Sequence, residues 1–283
     1  MARRVEPERI AVVGSGTWGT TLALLAAQAG NRVDLVFRDP AEAAACQATR
    51  RNARFLPTLD LPPEVAATVD LEAACRGAAL IILVTPSQTM RETARAIAPF
   101  AGGAIVVSAA KGLDRQTLQR MTEVVAEELG PEAALRVCAL SGPNLAAEIA
   151  QGKPATTVLA GLDPAAARRA RDLLMSPQFR PYTNDDVVGV EIGGALKNII
   201  AIGAGIVDGL QAGDNAKAAF MTRGIAEIAR LGVALGAQPL TFAGLSCLGD
   251  RVATCASPHS RNRHVGEELA RGRSLAEIRA GMT

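Results

Sequence analysis

Histidine is nearly missing from this chain: across 283 residues only His259 and His264 occur. The five cysteines, Cys46, Cys75, Cys138, Cys247 and Cys255, are odd in number, widely spread and never paired as Cys-x-x-Cys. So few co-ligands and such spacing argue against both a structural zinc site and a disulfide framework. No metal is expected. Charge of one sign is lacking too, since a formal net charge of +2 offers no attraction for nucleic acid or an anionic membrane. Apolar runs of about 18 residues are absent. The nearest candidate, "EIGGALKNIIAIGAGIVDG" from Glu191 to Gly209, is broken by Lys197 and Asn198. The apolar stretch behind the basic start "MARRVEPERIAVVGSG" is too short for a signal-peptide core. What remains is a cytoplasmic, reduced, soluble globular protein, 49% hydrophobic and 20% charged, with length for one large or two ordinary domains.

Two textures divide it. In the first half, "IAVVG" (Ile10–Gly14), "VDLVF" (Val33–Phe37), "LIILVT" (Leu80–Thr85), "AIVVSA" (Ala104–Ala109) and "RVCALSG" (Arg136–Gly142) read as strands. They are apolar nearly throughout, as in a parallel sheet covered on both faces. Helical stretches such as "TTLALLAAQAG" and "LQRMTEVVAEELG" lie between them, an alternation that specifies βαβ units. After about Asp186 helical patterns dominate and no strand is evident. The expected fold is α/β: a Rossmann-like doubly wound sheet over 1–187, dinucleotide-binding, followed by an all-α substrate-binding domain over 188–283.

The first strand runs into "GSGTWG" and then a helix, the setting in which a G-x-G-x-x-G spacing is informative. Gly14 permits the tight turn, Gly16 lets backbone approach a pyrophosphate, and Gly19 allows close helix packing. At the end of the second strand, "FRDP" offers Arg38, suited to the 2′-phosphate of NADPH, and Asp39, suited to the 2′-hydroxyl of NADH. Arg38 tilts the choice to NADPH and leaves NADH open, while Asp39 reads equally well as a helix cap. "SAAKG" aims Lys111 at the carboxyl ends of the strands. "SGPNLAAE" carries a Gly-Pro turn and Asn144, which is placed to cap the next helix.

In the helical half, Gly194, Lys197, Ala201, Ala204 and Asp208 share one face lined mainly by small residues. Periodicity leaves open whether Lys197 snorkels to the surface or is used. "LGDRVATCASPHSRNRHVGEEL" then gathers Asp250, Thr254, Ser260, Arg261, Asn262 and Arg263, and a hydroxyl, a guanidinium and an amide at a helix start suit an anion.

Together, "GSGTWGTTLA", "RNARFLP", "VTPS", "AAKG", "SGPNLAAE", "EIGGALKNIIAIGAGIVDGL", "GDNAKAAFMTRGIAEI" and "LGDRVATCASPHSRNRHVG" resemble the NAD(P)-dependent glycerol-3-phosphate dehydrogenase family of the bacterial type. The resemblance implies NAD(P)H-dependent interconversion of dihydroxyacetone phosphate and sn-glycerol 3-phosphate for glycerophospholipid synthesis, in a homodimer. It implies Lys197 as general base, Asp250 orienting it with Thr254 close by, and Lys111 polarising or binding substrate. Ser260, Arg261 and Asn262 would hold the phosphate, with Gly142 and Asn144 as further substrate contacts. Thr17, Trp18, Arg38 and Ala146 match positions that touch the dinucleotide, alongside the glycines, Lys111 and Arg261. Family members continue past the final "AEIRAGMT" with a Val-x-Glu-Gly segment that holds the nicotinamide side. "GLSCLGD" also has Ser246 and Cys247 where the family shows Ala-Gly, beside Asp250. Two alternatives stand: another two-domain β-hydroxyacid or ketoacid dehydrogenase, or a non-catalytic dinucleotide-binding protein.

Overall fold

A computed structural model describes residues 6–257 and 260–281; His259, weighed above as a metal co-ligand, lies outside the described residues, as do the first five residues of the basic start. The chain divides into two compact units, Met1–Val187 and Val188–Thr283.

In the first unit, β1 (Arg9–Val13) leads through the glycine turn into α1 (Thr17–Gln28), and β2 (Arg32–Val36) leads into α2 (Pro40–Thr49). A hairpin of β3 (Arg51–Asn52) and β4 (Leu56–Asp60) precedes β5 (Val65–Thr68), α3 (Leu71–Cys75) and β6 (Leu80–Leu83). Then come α4 (Met90–Ile97), β7 (Ile105–Ser108), α5 (Met121–Leu129), β8 (Val137–Ser141) and α6 (Ala146–Ala150). The unit ends with β9 (Ala155–Gly161), α7 (Pro164–Leu174) and β10 (Phe179–Asn184). Eight strands form one sheet in the order β10-β9-β8-β7-β6-β1-β2-β5, with β8–β9 the antiparallel pair. From β5 to β8 this is the strand order of a doubly wound dinucleotide fold, and the order reverses between β1 and β6. Ligands bind such sheets outside the carboxyl ends of the strands at that reversal.

The apolar strands follow from burial on both faces. Ile10 and Val12 of β1 pack with Leu22 and Leu25 of α1 and Leu173 of α7. Ala11 and Val13 pack on the other side with Met90 and Ile97 of α4 and Val124 of α5. Two helices start on an Asp-Pro pair: Asp39 caps α2 and Asp163 caps α7, each accepting from backbone N–H groups ahead of it, with proline in the first turn.

The second unit holds most of α8 (Val187–Gly209), then α9 (Gly213–Ala234), a π-helical turn at Leu245–Gly249, α10 (Asp250–Ala256), α11 (Arg261–Ala270) and α12 (Leu275–Ala280). It has no strand among the described residues. The α/β sheet followed by a helical region is the fold read from the sequence. By length and composition α8 could cross a membrane, with 23 residues and a mean hydropathy of 1.5, but 44% of its most apolar window is buried. One of its close neighbours is α11, met backbone against backbone: a methyl on Gly205 would overlap the Arg263 carbonyl, and one on Gly266 the Ile202 carbonyl.

Candidate functional site

Within the first unit, the turn after β1 is built by three glycines under different constraints. Gly14 has φ +115, and a methyl there would lie 2.8 Å from the Val84 carbonyl oxygen. Gly19 is pressed against the Gly14 carbonyl, so α1 packs directly on the turn. At Gly16 a methyl would meet nothing within 4 Å, and no side chain caps the helix that starts there. An uncapped helix N-terminus facing open space fits a pyrophosphate. Thr17 and Trp18 form the first helical residues, half-buried, with Trp18 packed against the core.

The turn is held from outside by Asn52, which is 3% exposed. Its amide donates to the Ser15 carbonyl at 2.8 Å and to Thr20 Oγ1 at 2.8 Å. Asn52 escaped identification as a site residue, although it lies in the "RNARFLP" stretch. Arg38 is exposed beyond β2. Asp39 is engaged as the α2 cap, accepting from Ala41 N at 2.7 Å and Glu42 N at 3.2 Å.

Lys111, after β7, donates to the Gly142 carbonyl at 3.0 Å, and Gly142 follows β8. Asn144 does not cap α6. Leu145 takes the cap position, and the Asn144 amide is drawn away to donate to Thr157 Oγ1 at 3.1 Å. Its Oδ1 is buried without a hydrogen-bond partner. Thr157, fully buried on β9, also donates to the Ser141 carbonyl at 3.0 Å, and nothing in the sequence marked it. Ala146 opens α6, its carbonyl accepting from Thr21 of α1 at 3.3 Å.

In the second unit, Lys197 Nζ lies 2.7 Å from Asp250 Oδ1 and 3.2 Å from Thr254 Oγ1, and Thr254 donates to Asp250 Oδ1 at 3.2 Å. Asp250 and Thr254 stand one turn apart on α10, so both face α8. The Lys197 side chain is 15% exposed and that of Asp250 1%. An amine so placed can exchange a proton with a substrate hydroxyl while the carboxylate fixes its orientation. Nearby, Asp208 binds Lys217 at 2.8 Å and Arg263 at 2.7 Å. Burial alone would raise the Asp208 carboxyl; these two cations instead hold it below its ordinary range.

Ser260 caps α11 and accepts from Arg263 N at 3.3 Å. Arg261 is exposed and Asn262 half-buried in that first turn, whereas Arg263 is tied back to Asp208. Cys247 is fully buried in the π-helical turn and bonded by Arg251, which is also fully buried and which sequence reasoning passed over.

A family model described as NAD-dependent glycerol-3-phosphate dehydrogenase N-terminus matches residues 9–167, and one described as its C-terminus matches 186–283. A glycerol-3-phosphate dehydrogenase [NAD(P)+] of Moorella thermoacetica is 50% identical over 272 residues, covering 96% of this chain and 80% of that protein. One from Geobacter metallireducens is also 50% identical over 272 residues, covering 96% and 81%. Among solved structures, the glycerol-3-phosphate dehydrogenase of Coxiella burnetii superposes with a TM-score of 0.90 at 37% identity, covering 98% of this chain and 85% of that one. The enzyme of the same name from Saccharomyces cerevisiae gives 0.86 at 27% identity, covering 98% and 86%.

Proposed function

The chain belongs to the NAD-dependent glycerol-3-phosphate dehydrogenase family, and on that premise we propose that it interconverts dihydroxyacetone phosphate and sn-glycerol 3-phosphate with NADPH or NADH. The observation that carries this reading is the Lys197–Asp250–Thr254 cluster, an amine on the largely apolar α8 paired with a buried carboxylate on α10.

Unit 1–187 serves as the dinucleotide-binding domain. The glycine turn, Thr17, Trp18 and Ala146 hold the cofactor, with Arg261 a further contact. Arg38 is exposed while Asp39 is engaged as a cap, which favours NADPH. When bound, the nicotinamide supplies the two-electron redox chemistry. Unit 188–283 serves as the substrate-binding domain. In the oxidative direction neutral Lys197 takes the proton of the C2 hydroxyl as the C2–H bond breaks, leaving the ketone and an ammonium paired to Asp250. In the biosynthetic direction the Lys197 ammonium returns that proton to the carbonyl oxygen. Asp250 holds the amine in place and Thr254 bridges the two. Ser260, Arg261 and Asn262 bind the phosphate at the start of α11. Lys111, Gly142 and Asn144 contribute substrate contacts. We assign the product to glycerophospholipid synthesis in the cytoplasm. A homodimer through the helical unit accords with exposed Leu231, Val233, Leu235 and Leu240.

The test is NADPH oxidation by the purified chain with dihydroxyacetone phosphate, beside Lys197→Ala. Positioned acid–base catalysis contributes about 10²–10⁴-fold, so kcat should fall by that factor with NADPH binding unchanged. A variant that turns over at the wild-type rate removes Lys197 from the chemistry.

A further inference from the structure

Between β8 and α6 the chain turns through "SGPN", Ser141 to Asn144, and this turn is arranged around one hydroxyl, that of Thr157 on β9. Strand β9 runs antiparallel to β8 with Val158 opposite Ser141, which sets Thr157 beside the point where the chain leaves the sheet. Gly142 is pressed onto it: φ is +155, and a methyl there would stand 3.0 Å from Thr157 Cα and 3.2 Å from its Oγ1. Thr157 is fully buried. Valine suits such a strand equally well and has no polar atom to satisfy, so the hydroxyl calls for a use.

Its hydrogen bonds run in a fixed order. The hydroxyl has a single proton, and a backbone carbonyl can only accept, so the bond to the Ser141 oxygen at 3.0 Å consumes that proton. The lone pairs are left to face Asn144, and only the NH2 half of its amide can meet them. Nδ2 does so at 3.1 Å. A reversed amide would set oxygen against oxygen with no proton between them. The Ser141 carbonyl, fixed by its strand, thus dictates through Thr157 which way the Asn144 amide points.

The dinucleotide contact proposed two residues further on has an anchor of its own. The Ala146 carbonyl accepts from Thr21 Oγ1 of α1 at 3.3 Å, a bond in which Thr157 takes no part. Loss of the Thr157 hydroxyl should therefore disturb the substrate contact and spare the cofactor.

Resting on the reading of Asn144 as a substrate contact, we propose that Thr157 is a positioning residue for the triose phosphate: it is too deeply buried to touch the substrate, and its hydroxyl fixes the orientation of the Asn144 amide that does.

The experiment measures kcat and KM for dihydroxyacetone phosphate, the NADPH dissociation constant by fluorescence titration, and melting temperature. The proteins are wild type, Thr157→Val, Thr157→Ser, Asn144→Ala and the Asn144→Ala/Thr157→Val double variant. Thr157→Val should raise KM about fivefold or more, with kcat within about threefold and NADPH affinity within about twofold of wild type. Thr157→Ser keeps the ordered hydroxyl, so its KM should stay within about twofold even though the lost methyl lowers the melting temperature. In the Asn144→Ala background Thr157→Val should raise KM by less than about twofold, because the group it acts through is gone. An unchanged KM in folded Thr157→Val, or the same increase with and without Asn144, overturns the proposal and leaves Thr157 a packing residue. A KM for Thr157→Ser raised as far as that of Thr157→Val assigns the effect to the methyl and overturns it as well. Should Thr157→Val not fold, Thr157→Ala, which adds no bulk, is read by the same criteria. A wild type without turnover instead defeats the underlying reading of the substrate site, a different and separable failure.

Discussion

Replacing Gly16 and Gly19 separately by alanine tests the glycine turn through opposite outcomes at neighbouring positions. At Gly19 the added methyl overlaps the Gly14 carbonyl, whose carbon it would approach to 3.0 Å, and stands 3.5 Å from Val84 Cβ. The primary obstacle is backbone, so α1 and the turn must separate by on the order of 1 Å, an overpacking cost of about 2 kcal/mol. For a unit of this size that lowers the melting temperature by about 4–8 °C. At Gly16 the methyl meets nothing within 4 Å and φ is −65, ordinary for any residue. The small loss of an alanine at a helix cap, about 0.5 kcal/mol, is offset by a stiffer unfolded chain. Its melting temperature should stay within about 2 °C of wild type. Yet under the proposed cofactor assignment the methyl fills the space the pyrophosphate needs, and NADPH affinity should drop at least about tenfold, equivalent to about 1.4 kcal/mol. Differential scanning fluorimetry and NADPH fluorescence titration read the two quantities separately. Undiminished binding by a folded Gly16→Ala protein, or an unshifted melting point for Gly19→Ala, would refute the assignment of the respective glycine.

Two further expectations concern stability and reactivity. Asp208→Asn removes hydrogen bonds to two cations and should cost about 2 kcal/mol at pH 7 in urea unfolding. Because the folded carboxyl is held below its ordinary value of 3.8, that contribution is present above pH 3.8 and fades as pH falls further; a wild-type advantage that persists or grows in stronger acid contradicts the pairing. All five cysteines are free and buried, and burial pushes Cys75 up to about 11 and Cys138 up to about 12, aided by Asp34 and Asp163 respectively. The native protein at pH 8 should show no fast thiol reaction with Ellman's reagent and five equivalents after denaturation; a rapid native equivalent would reveal a thiol that the fold leaves open.

Five strands were legible because each is covered on both faces over most of its length and is therefore apolar nearly throughout. The strands missed carry weaker signals. β5 is four residues long with two alanines, and β10 is an edge strand that contains Pro181 and alternates between buried and exposed. β9 runs antiparallel to β8 and opens with half-buried Ala155 and Thr156. At the candidate site, the glycine turn could be read from spacing and Lys197 from its incongruity. The pairing of Lys197 with Asp250 came from family resemblance, and Asn144 was misjudged because a cap signal is local while Thr157 lies thirteen residues away.

What the sequence by itself determined is everything set by short-range periodicity and backbone sterics: a covered parallel sheet, a glycine turn opening a helix, helices begun by Asp-Pro, and a lysine in the middle of a largely apolar helix. Those signals act over a few residues, within the reach of a turn or a helical repeat. Tertiary structure alone decided which distant groups meet. Lys197 and Asp250 are 53 residues apart, Asn52 reaches 37 residues back to Ser15, and Arg251 binds a carbonyl 58 residues away. No local pattern encodes those distances, because they arise from how helices and strands pack, and packing responds to the shape of the whole surface rather than to any one segment.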